Sequence, residues 1–488
     1  MNTEFAGRVQ SPRVPPSPSC RNVVIVGGGF AGTRAAQILG RRLPPDCTVT
    51  LLDQENFITF SPLLPEVVGA SLPPGHVVAP HRQMIRRGHV RMVRVVSIDA
   101  QERLIHCEGA GPGVIQYDQL VMTCGARANL QAIEGMAEHG MALKTLGDAL
   151  HLRNHIVRQL EEAELAADEA SRRWLMTFIV VGGGFSGVET AGELVDFLHA
   201  SLRYYRRIRP EDLRVILLHA TERLLPELPA SLSAFTLRKM RRRGIEVRLK
   251  ISASCVSHCD VRLSTGEVVS GGTVICTVRT AANRLLDDIP APKARGRLLV
   301  LSDLSVPGVE GVWAAGDCAA VPNARDGAIC PPTAQFANAQ ARQLAHNLIA
   351  RLNGRSTRSF NFRPRGQLSS VGHNKAVADI FGFRISGFMA WLLWRGVYLL
   401  RIPTLARKVR VFLEWNWGML FPPDIAHLSF PPHAESEAEP SEPVHAAAHA
   451  LIFFAARSPS AERPSTAQQD SREGQAATRG HSLQLSRR

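Results

Sequence analysis

Two glycine-rich turns set the limits on what this chain can fold into. The first lies within Arg21–Asp53, where the apolar run Asn22–Val26 leads into Gly27-Gly28-Gly29-Phe30-Ala31-Gly32. A β-branched apolar run bounded in this way reads as a strand buried on both faces of a parallel sheet. Thr33–Leu39 then reads as a helix, and Val49–Leu52 as a second strand ending on Asp53. Glycine at Gly27, Gly29 and Gly32 permits a tight turn, close approach of backbone to a pyrophosphate, and close helix–strand packing. The first N–H groups of the helix meet the phosphate charge, and Asp53 is placed to accept hydrogen bonds from a ribose. A glycine turn alone is weak evidence. The complete order of strand, turn, helix, strand and acid points to a bound dinucleotide.

The arrangement occurs twice. Phe178–Val181 runs into Gly182-Gly183-Gly184-Phe185-Ser186-Gly187-Val188-Glu189, with a helical stretch at Thr190–His199 and a later strand at Arg214–Leu218. Two such units in one chain suggest two nucleotides, one passing electrons to the other. Glu189 follows the second turn by two residues, which places it in the first helical turn.

The rest of the chain is read against these two units. At 488 residues there is material for two or three domains with substantial cores. The nine cysteines form no C-x-x-C and no disulfide framework, which fits a reducing compartment. Cys124 and Cys330 read as small buried hydrophobes rather than a redox pair. No N-terminal apolar leader and no run of membrane-spanning length are present. Residues 1–20 and 431–488 read as a disordered lead-in and tail. Val90–Cys107 alternates like strands, Gly147–Ala170 has helical spacing, and Val247–Ser264 and Val268–Thr277 read as strands. Pro307–Asp317 reads as a strand ending in Gly316-Asp317, and Pro332–Leu352 as an amphipathic helix. Phe381–Phe421 combines Trp391, Trp394, Trp415 and Trp417 with Arg395, Arg401, Arg407, Lys408 and Arg410. Tryptophan beside basic residues on short amphipathic helices is the composition of a helix pair lying in a membrane interface. The formal net charge of +14 is then accounted for by an anionic membrane surface; no nucleic-acid motif accompanies it.

Taken in order, these pieces resemble the flavoproteins that bind two dinucleotides, and among them the type II NADH:quinone oxidoreductases, over roughly Asn22–Ala426. The resemblance implies an α/β fold of two Rossmann-like dinucleotide-binding domains, the FAD domain discontinuous in sequence, and a C-terminal helical region at the membrane surface. The implied boundaries are 21–146 with 303–358 for FAD, 147–302 for NAD(P)H, and 359–430 for membrane association. FAD would be the cofactor, with its adenosine half held by Gly27, Gly29, Phe30, Ala31, Gly32 and Asp53. Thr59–Pro65 and the turn Thr123-Cys124-Gly125 would lie beside the flavin, with Gly316 and Asp317 at its ribityl–pyrophosphate part. NADH, or NADPH, would occupy Gly182, Gly184, Phe185, Ser186 and Gly187, with His219 at the ribose. Ala334 and Gln335, in a segment similar to the family's P-x-x-A-Q-x-A, would face the isoalloxazine and the quinone. Val371–Ala378 is similar to the family's G-x-x-x-A-V-A segment and contains His373 and Lys375.

Hydride transfer from a nicotinamide to a flavin needs neither nucleophile nor metal. A quinone also takes up protons; Glu189 is the leading candidate for that step, with Lys375 and His373 behind it, and Gln335 is the further residue the resemblance places in the catalytic site. The implied partners are NAD(P)H, a membrane quinone, an anionic membrane surface and a second copy of the chain as a homodimer. The implied place is the cytoplasmic face of the cell membrane, bound peripherally. Three positions depart from the family's pattern: His219 where an acid is usual, Arg279 where glycine is usual, and Ala339 where glutamine is common. The first bears on NADH against NADPH, and the others on the nicotinamide and quinone pockets. A flavin reductase with sulfide, a soluble acceptor or a protein as partner is an alternative, as is a redox-sensing flavoprotein of low turnover.

Overall fold

Each glycine turn sits at the centre of its own five-stranded parallel sheet. The first sheet runs in the order Val312–Ala314, Gln119–Met122, Asn22–Val26, Thr48–Asp53, His89–Met92. The second runs Met141–Ala142, Thr273–Cys276, Thr177–Val181, Arg214–His219, Ile245–Leu249. All pairings within both sheets are parallel, with Val26 opposite Leu52 in one and Val181 opposite Leu218 in the other. The central strands are buried along nearly their whole length, as a run without polar alternation requires. In both halves a three-stranded antiparallel meander, Arg94–Gln116 or Ala253–Ser270, precedes the strand that returns beside the glycine strand. The fold is therefore an internal duplication of a Rossmann-like unit. These observations come from a computed structural model that describes residues 22–428 except 110, 112, 259, 279 and 373. The expected lead-in, the expected tail, Arg279 and His373 lie outside the described residues.

The helices that matter for the site are α1 (Phe30–Arg42), α2 (Leu64–Val68), α3 (Leu146–Leu165), α4 (Phe185–Ser201), α5 (Ala334–Leu352), α6 (Phe388–Arg401) and α7 (Leu405–Trp417). Helix α3 begins with a capping box between Thr145 and Asp148, and the Thr404 hydroxyl caps α7. By contrast α1 and α4 begin at Gly29 and Gly184 with no side-chain cap, which leaves their first N–H groups free for an anion.

Several elements are shorter than the sequence reading expects. Gly147–Ala170 is not one helix: α3 stops at Leu165, and Asp168 caps a separate helix, Glu169–Leu175. Val247–Ser264 breaks into three strands, with Lys250 at φ 59° in one of the turns. Pro307–Asp317 keeps only Val312–Ala314 as strand, because Gly308 and Gly311 turn the chain at positive φ.

Between the C-terminal sheet (Gly366–Ser370, Ala376–Ile380, Phe383–Gly387) and α2, α3 and α4 lies one continuous apolar core that also takes in α6 and α7. Three of the four tryptophans expected at a membrane interface, Trp391, Trp394 and Trp415, are buried in this core. Only Trp417 is exposed. Besides Trp417, the two helices expose Phe388, Met389, Leu392, Leu400, Leu405, Val409, Phe412 and Leu413. No described helix is long and apolar enough to cross a membrane.

Candidate active site

The first glycine turn divides its labour by position. Gly27 has φ +99°, and a Cβ there would lie 2.4 Å from the Thr123 carbonyl. A Cβ on Gly32 would meet the Gly27 carbonyl at 1.8 Å, so this glycine is what lets α1 pack onto its strand. A Cβ on Gly29 meets nothing within 4 Å. The turn is thus closed toward the protein at its ends and open at the residue that heads the helix, which is the shape a pyrophosphate requires. FAD fits this cradle. Asp53 Oδ2 accepts from the Gly28 N–H, and Oδ1 accepts from Glu55 N at 2.8 Å. That fixes the carboxylate at the tip of its strand with lone pairs left for a ribose.

The second turn repeats the pattern residue for residue. Gly182 has φ +119°, a Cβ on Gly187 would lie 1.7 Å from the Gly182 carbonyl, and Gly184 is open. Even the latch is duplicated. Thr123 Oγ1 donates to the Val26 and Gly27 carbonyls at 3.0 and 2.9 Å, and Thr277 Oγ1 to Val181 and Gly182 at 2.9 and 3.1 Å. His219 stands where Asp53 stands: its Nδ1 accepts from Gly183 N at 3.0 Å, and its Nε2 meets Thr221 Oγ1 at 2.7 Å. Accepting at Nδ1 puts the proton of a neutral ring on Nε2. Burial also lowers the pKa of the ring, so His219 is an uncharged residue at neutral pH. Arg223 turns to the Pro226 carbonyl at 3.0 Å.

Beside the first turn, Gly316 N donates to Gln340 Oε1 at 2.8 Å, and a Cβ on Gly316 would lie 3.2 Å from that of Ala31. Asp317 lies 3.8 Å from Lys144 Nζ, a partner the sequence does not single out. Ala334 and Gln335 open α5, where Gln335 Nε2 donates to the Gly366 carbonyl at 2.8 Å and Oε1 accepts from Arg365 N at 3.2 Å. Gly125 has φ +65° with open space in front of it. Ala339 packs against the core of the first sheet, and Lys375 sits half-buried in the turn after Val371. His81 is a residue that sequence reasoning missed. It is buried beneath the first cradle, where a Cβ on Gly28 would touch its Nε2 at 2.4 Å, and that nitrogen has no hydrogen-bond partner.

Glu189 is the fifth residue of α4, one turn deeper than the sequence reading places it, and it does not serve as a cap. It is 7% exposed and accepts from Ser370 N at 3.1 Å. Burial pushes its pKa up to about 8, and the Ser370 N–H opposes this only in part. Two further carboxyls are buried nearby, Glu66 from α2 and Glu193 one turn further along α4. Burial raises both, and their mutual repulsion adds to it for Glu193. Glu66 Oε2 accepts from the Trp415 indole at 2.6 Å, and Glu193 Oε2 from Ser71 Oγ at 2.8 Å. The Arg395 guanidinium stacks 3.8 Å over Trp391, and burial lowers its pKa to about 10. Burial thus favours the protonated form of all three carboxyls, two of them on the helix that starts in the second cradle and the third facing it.

Comparison with known proteins places these features in a family. The pyridine nucleotide-disulphide oxidoreductase pattern matches residues 21–343, and that of the NDH2 C-terminal domain matches 365–422. The chain is 31% identical to the type II NADH:quinone oxidoreductase Ndh of Mycobacterium tuberculosis, over 83% of this chain and 89% of that protein. It is 30% identical to the demethylphylloquinone reductase NdbB of Synechocystis, over 80% and 95%. Its fold is similar to NDH2 from Plasmodium falciparum solved with NADH, at a TM-score of 0.78 and 19% identity, covering 83% of this chain and 99% of that one. The chain belongs to the pyridine nucleotide-disulphide oxidoreductase family and, within it, to the type II NADH:quinone oxidoreductases.

Proposed function

We propose that this protein is an FAD enzyme that takes electrons from NADH and delivers them to a membrane quinone without pumping protons. The observation that carries the reading is the pair of matching cradles, each open at the head of an uncapped helix. Bound FAD supplies the two-electron chemistry. The residues around it bind, orient and move protons. Gly27–Gly32 and Asp53 hold the adenosine half of FAD, and Gly316 and Asp317 its middle part. Gly182–Gly187 and His219 hold the nicotinamide dinucleotide. Ala334, Gln335 and Lys375 border the flavin and the quinone, and Glu189 gives a proton to the quinone oxygen. In this reading 21–146 with 303–358 serve FAD, 147–302 serve NADH, and 359–430 attach the protein to the membrane.

The membrane assignment rests on the outer faces of α6 and α7. They expose large apolar side chains beside Arg401, Arg407, Lys408 and Arg410, while their inner faces are core. An anionic lipid surface on the cytoplasmic side satisfies both the apolar and the basic groups. The decisive experiment is anaerobic reduction of the purified yellow protein by NADH, followed by addition of a quinone. Fast bleaching and fast recovery of the flavin colour are expected. A flavin that bleaches over minutes would favour the redox sensor. Attachment is tested with Leu413→Glu combined with Trp417→Ala, which touch only the outer face. The variant should lose co-sedimentation with anionic liposomes at low salt and keep activity with a water-soluble quinone. Unchanged sedimentation, or self-association that the variant abolishes without liposomes, would remove the membrane assignment.

A further inference from the structure

Proton bookkeeping leaves a gap that Glu189 alone does not fill. NADH brings two electrons and one proton, as hydride, whereas a quinol carries two electrons and two protons. One proton per turnover must therefore come from solvent. Glu189 is buried, so after giving up its proton it has to be resupplied from behind.

Helix α4 carries a line of acids for this. Glu189, Glu193 and Asp196 are spaced i, i+4, i+7 and form one stripe, spanning about 10 Å of helix at 1.5 Å per residue. Glu193 is 8% exposed and lies under the end of α2, where a Cβ on Gly69 would meet its Cβ and Oε2, each at 2.9 Å. Its Oε2 accepts from the hydroxyl of half-buried Ser71, a group that both donates and accepts.

The charges facing this line do not make it a set of structural ion pairs. Arg243 is spent on Asp196 and on the Gly192 and Val371 carbonyls. Arg395 stacks on Trp391 and reaches the Trp415 carbonyl at 3.4 Å, with its Nε unpartnered. Tyr398, whose pKa burial raises, and Arg401 complete the titratable groups on that side, with Glu66 opposite. Among the described residues, Glu66, Glu189 and Glu193 have no ion pair. A further polar group faces these acids: the indole N–H of Trp394, 2% exposed, lies close enough to Glu189 to favour its ionised form yet makes no well-formed hydrogen bond. Asp196 is engaged by Arg243, whereas the Ser71 hydroxyl bonds Glu193 itself, which makes Ser71 the outlet.

We propose that Glu193 supplies the solvent proton to Glu189 in each turnover, with Ser71 as its contact with water. This rests on the quinone reading above. When Glu189 passes its proton to the quinone oxygen, the O–H of Glu193 breaks and its proton moves to the Glu189 carboxylate, directly or through one water. Glu193 then takes the Ser71 hydroxyl proton, and Ser71 takes one from water. No electrons move in this sequence. Glu193 is a proton-supply residue and does not itself touch substrate.

The test is stopped-flow on the full-length holoprotein across pH 6–9, following flavin bleaching by NADH and colour recovery by quinone separately. Glu193→Gln should leave bleaching within about twofold of wild type. It should slow recovery by about tenfold or more and remove the pH dependence of recovery. Glu193→Asp should restore part of the rate, and Ser71→Ala should slow recovery by about threefold. Infrared spectra of wild type minus Glu193→Gln at pH 7 should show a protonated-carboxyl band that shifts in D2O. Wild-type recovery kinetics and pH profile in Glu193→Gln, equal slowing of both half-reactions, or no such band would overturn the proposal. A wild type that quinone does not recover removes the quinone reading itself, and the proposal with it.

Discussion

The indole N–H of Trp415, in α7, donates to Oε2 of Glu66 at 2.6 Å across 349 residues of chain. Both groups are buried, so the bond fastens the C-terminal helices to the segment beside the first cradle. It favours the ionised form of Glu66, against the burial that favours the protonated form. Trp415→Phe keeps a ring but removes the donor, leaving a buried acceptor unpaired at a cost of about 1–3 kcal/mol. The loss should be larger at pH 8.5, where wild-type Glu66 is ionised, than at pH 6. Thermal unfolding of both proteins at the two pH values checks this; an equal loss at both would mean that Glu66 does not feel the indole.

Stability should fall as pH rises across the neutral range. An unfolded glutamate releases its proton near its ordinary value of about 4.3, whereas folded Glu189 keeps it to about pH 8. Between those values the folded state binds more protons, so each pH unit removes up to about 1.4 kcal/mol for this group. Stability from this source is complete below the unfolded value and gone above the folded one. Glu189→Gln should flatten the decline between pH 5.5 and 8 in denaturant titrations. A slope identical to wild type would place the Glu189 pKa near its ordinary value.

Gly29 and Gly32 of the first cradle should fail in different ways. Gly32→Ala drives a Cβ into the Gly27 carbonyl and should cost at least about 2 kcal/mol of stability. At Gly29 an added Cβ has no protein atom within 4 Å, so Gly29→Val should fold with near-normal stability yet purify without flavin. Absorbance and unfolding curves of the two variants separate these outcomes; Gly29→Val with full flavin content would remove Gly29 from the cofactor site.

Donor preference should respond to His219. The neutral ring neither repels a 2′-phosphate nor offers it a cation, so NADPH is expected as a competent second donor. His219→Glu adds a carboxylate where Asp53 sits in the first cradle. A charge-assisted ribose contact is worth about 1.5–3 kcal/mol, one to two decades in affinity. The ratio of kcat/KM for NADH over NADPH should rise by about that factor, and an unchanged ratio would mean that the ribose is read elsewhere.

What is legible in the sequence is what is enforced locally. Gly27, Gly32, Gly182 and Gly187 are demanded by contacts within or beside their own turns, so the motif carries the geometry with it. Asp53 and His219 follow because a parallel register places the strand tip beside the turn. Glu193 and Asp196 are visible on the same stripe as Glu189, but spacing alone does not say which face of α4 is buried. Glu66, Ser71 and His81 carry no local signal at all; their roles come from distant chain folding over them. Composition misleads at the tryptophans. Beside arginine they read as interfacial, yet Trp391 and Trp415 flank Arg395 inside the protein, where stacking offsets the loss of water around the guanidinium.

The duplication also bears on how long each nucleotide stays. The two cradles share glycine spacing, threonine latch and open helix head, so these features alone do not tell one dinucleotide from the other. Their surroundings differ. The late strand Val312–Ala314 joins only the first sheet, and carries Gly316 and Asp317 across to α1 with α5 behind them. The corresponding edge of the second sheet is Met141–Ala142, which comes from the chain before that unit. In the proposed assignment the first nucleotide would be gripped by two distant stretches of chain, as a lodger. The second would be held by a cradle without that return strap, as a visitor.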